Sequence, residues 1–300
     1  MYLDRNDIEK FIDYLASQKG LSDNTVKGYT KDLNAFFDYF IDKKIESDLR
    51  RDDFRGFISD LITKGNSNSS INRILAALKG FTKYKLRSGD KTFSVILDVD
   101  SLKQKKHLPN FLFDREVDIL LDFECLSVFD YRDKAIIELL FSTGLRCSEA
   151  LSLRISDIKK NNFNLRIKGK GSKERIVIYN KYSQDIIFQY LTLRKETELS
   201  KNINSSPESP LFINSKFKPL GDRSVRKIIE QRIEQSALVK NISPHSLRHS
   251  FATSLLRNGA DIRTVQMLLG HSKISSTQIY THLTTDQLKD MHYKYHPHGK

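Results

Sequence analysis

Thr143-Gly144-Leu145-Arg146-Cys147-Ser148-Glu149 is the stretch from which the fold is read. It closes an apolar helix, Ala135 to Phe141, whose run is broken by Glu138. Taken alone, Arg146 and Glu149 at i and i+3 make an ordinary surface pair. Downstream, Asn164 to Lys168 and Arg175 to Tyr179 read as short strands. Between them Gly169-Lys170-Gly171-Ser172-Lys173 forms a hairpin tip. Glycine on both sides of Lys170 lets backbone approach a ligand closely. The spacing is not that of a Walker phosphate loop, and the stretch lies between strands rather than before a helix. A lysine finger reaching a phosphate fits better, and a solvated turn is the plain alternative.

Ile186 to Leu193 and Asp222 to Ser236 read as helices, with Asn202 to Pro210 a loop. Ser243-Pro244 is a helix start, an N-cap followed by Pro at N1. His245 then lies in the first turn and Arg248 three residues on, where unpaired N–H groups and the helix dipole favour anions. The His245 and His249 spacing would suit a metal. Ser246, however, stands where a metalloprotease helix carries its Glu, and Arg248 would repel the ion. Leu269-Gly270-His271-Ser272 follows, then Gln278-Ile279-Tyr280. A lone His after Gly is ordinarily a cap residue, and a lone Tyr beside Ile ordinarily packs.

Upstream, the first hundred residues read as four amphipathic helices with short loops, a small bundle. Ile8, Phe11, Ile12 and Leu15 line one face, and Gly20 ends that helix. Ser22 is the expected N-cap of the second, with Val26, Tyr29, Leu33, Phe36, Phe37 and Phe40. Phe54, Phe57, Ile58 and Leu61 line the third, which ends near Gly65. The polar run Asn66 to Ser70 reads as a loop ending in a cap, and Ile71, Ile74, Leu75, Leu78 and Phe81 line the fourth. Arg73, Lys79, Lys83, Lys85 and Arg87 cluster on it and favour a phosphate-facing surface. Residues 1–100 are therefore expected as a helical domain, 101–110 as a linker and 111–300 as a mixed, mainly helical domain with a small antiparallel sheet.

The chain has 300 residues, 50 Lys and Arg against 37 Asp and Glu, and a net charge of +13. That excess points to a polyanionic partner. A hydrophobic content of 39% excludes global disorder. No apolar run approaches the ~18 residues of a membrane span. The N-terminus carries acids where a signal peptide is basic and then apolar. Neither a myristoylation glycine nor a prenylation cysteine is present. Cys125 and Cys147 make neither a disulfide framework nor a zinc pattern. A cytoplasmic protein is expected, with no membrane partner.

The four patterns, in this order, resemble the tyrosine recombinase (phage integrase) family. Its pattern is an Arg in a T-G-L-R-x-S-E box, a hairpin Lys, an H-x-L-R-H box, an L-G-H box and a Tyr about nine residues later. Asn24-Thr25-Val26 with Tyr29 and Asp32-Leu33 looks like the family's core-binding domain, as does Ser70-Ile71-Asn72-Arg73. The tail from Leu288 to His296-Pro297 is similar to the Xer subgroup, which resolves chromosome dimers, and the match spans essentially the whole chain. Cys147 departs from the Val or other small residue common in the box, a mild change.

The resemblance implies an N-terminal SAM-like helical bundle and a tyrosine-recombinase catalytic domain, together clamping double-stranded DNA. Arg146 and Arg248 would hold the phosphate, being planar, charged and bidentate. Tyr280, whose hydroxyl has an ordinary pKa near ~10, would be the nucleophile. His245 would take its proton, Lys170 would protonate the leaving 5′ oxygen, and His271 would bond a non-bridging oxygen. Glu149 would orient Arg146, and His249 would pack. No cofactor, metal or ATP is implied, because arginines do the electrostatic work and the phosphotyrosyl bond conserves energy. A homo- or hetero-tetramer on two DNA sites is implied, with a paralogous recombinase as candidate partner and a DNA translocase as candidate activator. The tail, through Met291, Tyr293 and Tyr295, would enter a neighbouring protomer. A mobile-element integrase and a type IB topoisomerase-like enzyme are the alternatives. DNA affinity should fall steeply between ~50 and ~200 mM salt, with a log–log slope near −0.9 per neutralised phosphate. A flat response in a binding titration would contradict this.

Overall fold

The computed structural model describes residues 5–17, 19, 21, 23–43, 49–103, 110–160, 162–168, 174–270 and 284–299. The chain divides into two compact units between His107 and Leu108. Among the described residues the fold is mainly α, with a two-stranded antiparallel sheet in the second unit.

In the first unit, α1 (Arg5–Ser17), α2 (Asp23–Asp42), α3 (Arg51–Thr63) and α4 (Asn68–Arg87) enclose an aromatic core. Phe11, Phe36, Phe37, Phe40, Phe54, Phe57 and Phe81 are all buried. Phe36 meets Phe57 edge-on at 5.2 Å, the geometry that the ring quadrupole favours. The expected N-cap Ser22 lies outside the described residues. The polar loop closes earlier than its composition indicates, because the Ser67 hydroxyl accepts from the Ser70 N–H at 3.2 Å. Asn68 and Asn72 are thereby helical. Asn72 bonds the Leu102 backbone in both directions, at 2.9 and 2.7 Å. Asn68 donates to the Lys103 carbonyl at 2.9 Å. Residues 101–103 are thus fastened to α4, and 104–109 lie outside the described residues.

The basic residues on α4 divide: Lys85 is drawn inward, while Arg73, Lys83 and Arg87 are exposed. Lys85 lies between Asp7 at 2.5 Å and Asp90 at 3.0 Å. Arg73 pairs with buried Asp32, and Arg87 donates to the Tyr14 hydroxyl at 2.6 Å. Lys83 stays exposed.

The second unit holds α5 (Asp114–Leu121), α6 (Val128–Thr143), α7 (Cys147–Leu151), β1 (Asn164–Lys168), β2 (Glu174–Ile178), α8 (Lys181–Ser200), α9 (Asp222–Gln235), α10 (Pro244–Arg257), α11 (Ile262–Leu269) and α12 (Thr285–Tyr295). Ile136, Ile137, Leu139, Leu140 and Phe141 are all inaccessible to solvent. A helix apolar on every side belongs in the middle, and α6 is flanked by α8 and α10. Leu165 faces Val177 across the sheet, and Lys168 faces Glu174. Strand β2 therefore starts at Glu174, one residue before the expected start at Arg175, where that ladder pair forms. Among the described residues no helix is long and apolar enough to cross a membrane.

Helix α12 packs on α10, α11 and β2 of its own unit. Tyr293, expected as an apolar anchor, is 60% exposed, while His292 and His296 are buried. His292 Nε2 donates to the Ser142 carbonyl at 2.7 Å, and burial lowers its pKa to about 4. His296 stacks on it, ring centroids 4.7 Å apart. His298 lies between Glu138 at 3.0 Å and Asp118 at 3.1 Å. Burial disfavours its charge, but the two carboxylates outweigh burial and raise it to about 9. Glu138, the acid that interrupts the apolar run, also accepts from Asn180 and Ser183.

These histidines act in opposite directions with pH. His298 is raised above its ordinary 6.5, so its stabilisation is complete below that value and lost as pH rises through about 9. His292 is depressed, so its stabilisation is complete above 6.5 and lost as pH falls towards about 4. Calorimetric Tm against pH should therefore peak near 6.5, and His298→Gln should flatten the alkaline limb alone.

Candidate functional site

The end of α6 sets the site. Gly144 takes a left-handed conformation, φ +60°, and its N–H bonds the Leu140 carbonyl at 3.1 Å. A Cβ here would lie 2.5 Å from Phe251 Cδ1 and 2.8 Å from Leu269 Cδ2. Both the turn and the close approach demand glycine. The Thr143 hydroxyl accepts from the Leu145 N–H at 3.2 Å, and Leu145 is fully buried. These contacts turn the chain so that Arg146 becomes the N-cap residue of α7.

Glu149, three residues into α7, reaches back to it. One carboxylate oxygen accepts the Arg146 N–H at 2.8 Å, and the other its guanidinium at 3.0 Å. The Glu149 carboxylate is buried while the Arg146 side chain is 54% exposed. Arg175, on β2, binds the same carboxylate with both terminal nitrogens, at 2.9 and 2.8 Å. Burial alone would raise the Glu149 pKa. The Arg175 fork, and then Arg146, overcome that and hold it at about 2. The i, i+3 pair is therefore real, but its acid is shared and internal.

Arg248 lies on α10, only 7% exposed. Its guanidinium donates to the Gly144 carbonyl and, at 3.0 Å, to the Leu269 carbonyl. It thus ties the turn before Arg146 to the end of α11. Burial, followed by the nearby charges of Arg146 and Arg175, lowers its pKa to about 10, so it is charged at neutral pH. A guanidinium has five N–H donors, and among the described residues the two carbonyls take two of them.

His245 follows Pro244 in the first turn of α10 and is exposed. The Ser243 hydroxyl caps that turn, accepting from the Ser246 N–H at 3.2 Å. His249 packs edge-on against Phe111 at 5.4 Å. Cys147 lies beside Asp222, and burial together with that carboxylate pushes its thiol up to about 12. Lys170, His271 and Tyr280 lie outside the described residues. Their flanks are Lys168 and Glu174 on the strands, Gly270 after α11, and Thr284 before α12. The structure thus brings Arg248 against the turn that leads into Arg146 and places His245 at the exposed start of the Arg248 helix.

Arg175 is the residue that local motif reading missed. It shares a strand face with buried Val177, and a cation in register with a core residue signals an internal partner. Gly270, φ +65°, packs directly over it, and a Cβ there would fall on the Arg175 side chain.

The sequence matches the Phage integrase family over residues 110–287. It also matches the Phage integrase N-terminal SAM-like domain over residues 8–89. It is 38% identical to the tyrosine recombinase XerD of Oceanobacillus iheyensis, covering 97% of this chain and 98% of that one. It is 37% identical to the tyrosine recombinase XerC of Thermodesulfovibrio yellowstonii, covering 98% and 97%. The XerH site-specific recombinase bound to a palindromic difH substrate shares the fold, with a TM-score of 0.66 at 24% identity, covering 96% and 88%.

Gly144→Ala should destabilise the second unit by about 3 kcal/mol, since it adds strain at positive φ and a clash with Phe251. A Tm within a degree of the wild type would contradict this assignment.

Proposed function

The chain belongs to the phage integrase family of tyrosine recombinases, and on that premise we propose that it resolves chromosome dimers by cutting and rejoining DNA at a dif-like site during cell division. The observation that carries the chemistry is the pair of guanidiniums gathered at one turn: Arg146 at its end, half exposed, and Arg248, buried and donating to the Gly144 carbonyl within it. Such a pair suits a pentavalent phosphorus whose non-bridging oxygens gain charge. The finer, cellular reading is supported by relatives named XerD and XerC that match along nearly the whole chain.

In this reading residues 1–100 bind the DNA core site and 111–300 catalyse. The Tyr280 hydroxyl oxygen attacks the phosphorus and passes its proton to His245. The bond to the 5′ oxygen breaks, and that oxygen takes a proton from Lys170. His271 bonds a non-bridging oxygen. The product is a 3′-phosphotyrosyl bond and a free 5′ hydroxyl, and the reverse sequence on another strand rejoins the DNA. Four protomers act on two sites in the cytoplasm, with the tail after Tyr280 joining neighbours.

The test is covalent trapping on a nicked duplex carrying the candidate chromosomal site, followed by denaturing electrophoresis. Wild type should give a shifted band, and Tyr280→Phe none. Arg146→Ala and Arg248→Lys should each slow its formation by roughly 10²–10³ while the protein still binds the duplex. A band on any supercoiled plasmid, without a specific site, would replace this reading with a topoisomerase. A band only at the ends of a mobile element would replace it with an integrase.

A further inference from the structure

Resting on the recombinase reading, we propose that Arg175 is a positioning residue: by occupying the Glu149 carboxylate with its own fork, it leaves the Arg146 fork free to hold phosphate. The geometry distributes the four bonds to Glu149 evenly. Each carboxylate oxygen takes one bond from Arg175, at 2.9 and 2.8 Å. Each also takes one from Arg146, but only one of those comes from the guanidinium; the other is the backbone N–H. A carboxylate and a guanidinium pair most favourably as two parallel bonds. With Arg175 absent, buried Glu149 has two outlets. It draws the Arg146 guanidinium into that bidentate pairing, or it takes up a proton because burial disfavours its charge. Either outlet removes Arg146 from the orientation in which half its side chain faces outward.

Arg175 itself does not reach outward. Its side chain is 17% exposed. Its Nε is buried, without a hydrogen-bond partner among the described residues. It passes beneath Gly270, which has no Cβ to obstruct it. The strand carrying it returns from the hairpin of Lys170, and Gly270 precedes His271. One side chain therefore fastens together three segments that the recombinase reading uses: the Arg146 turn, the base of the lysine hairpin and the turn leading to His271 and Tyr280.

The experiment is single-turnover cleavage of the nicked duplex from pH 5.5 to 8, with duplex binding measured alongside, for wild type, Arg175→Gln, Arg175→Lys and Arg175→Gln with Glu149→Gln. Arg175→Gln should cut roughly 10- to 100-fold more slowly and bind the duplex as wild type does. Its rate relative to wild type should fall further towards the acidic end, a limb added to the wild-type profile, as Glu149 begins to titrate in this range. Glu149→Gln on that background should abolish the limb. Arg175→Lys keeps the charge and loses the fork, so it should be slow without the limb; if Arg175→Gln does not fold, Glu149→Gln on the Arg175→Lys background carries the test and should restore part of the rate. A wild-type rate and pH profile in Arg175→Gln would overturn the proposal. So would a slow Arg175→Gln enzyme with no new limb that Glu149→Gln does not speed, which marks a merely structural role. The Glu149 carboxyl ¹³C titration gives a readout independent of cutting. If wild type forms no adduct, the recombinase reading fails. A Glu149 pKa that does not rise in Arg175→Gln, with no gain in rate from Glu149→Gln on that background, overturns the present proposal instead.

Discussion

A guanidinium buried among backbone carbonyls is the constraint on which the second unit depends. Arg248 donates to the Gly144 and Leu269 carbonyls, and these belong to two turns that the chain reaches more than a hundred residues apart. Buried carbonyls without donors are costly, and a buried cation without acceptors is costlier. The two turns and the arginine therefore satisfy one another. Their separation is further set by apolar packing, since Phe251 and Leu269 both close against Gly144. The charge at the site is thus held by the same contacts that hold the core.

The helices of both units were legible because burial follows a 3.6-residue period. The Pro244 helix start was legible because Ser243 and Pro244 are local signals, and both act as read. The start of α4 was misplaced by three residues. Several consecutive polar residues could each have capped it, and the choice of Ser67 goes with tertiary bonds from Asn68 and Asn72 to residues 102 and 103. The inward turn of Lys85 was hidden for a related reason, because Asp7 and Asp90, which pair with it, lie on other segments.

The same limit governs the site. Arg146 and Arg248 could be picked out because they sit in compact motifs. Arg175 could not, since its meaning lies in a carboxylate on another element. Glu138 reads as a flaw in an apolar helix until His298 arrives from the far end of the chain. The tail residues that pack deepest are histidines rather than Tyr293, because a neutral imidazole can fill apolar space and still donate to the Ser142 carbonyl. Polar groups inside a core are read from their partners, and partners distant in sequence leave no local trace.

The fit of Gly270 over Arg175 has a consequence for descent. Position 270 cannot drift independently. An alanine at 270 collides with the arginine, and at positive φ it is strained besides. A lineage can therefore exchange Gly270 for a residue with a side chain only after Arg175 has first given way to something shorter. That first step would leave a buried acid without its fork. The steric constraint runs one way, from the arginine to the glycine: while Arg175 stands, position 270 admits no side chain.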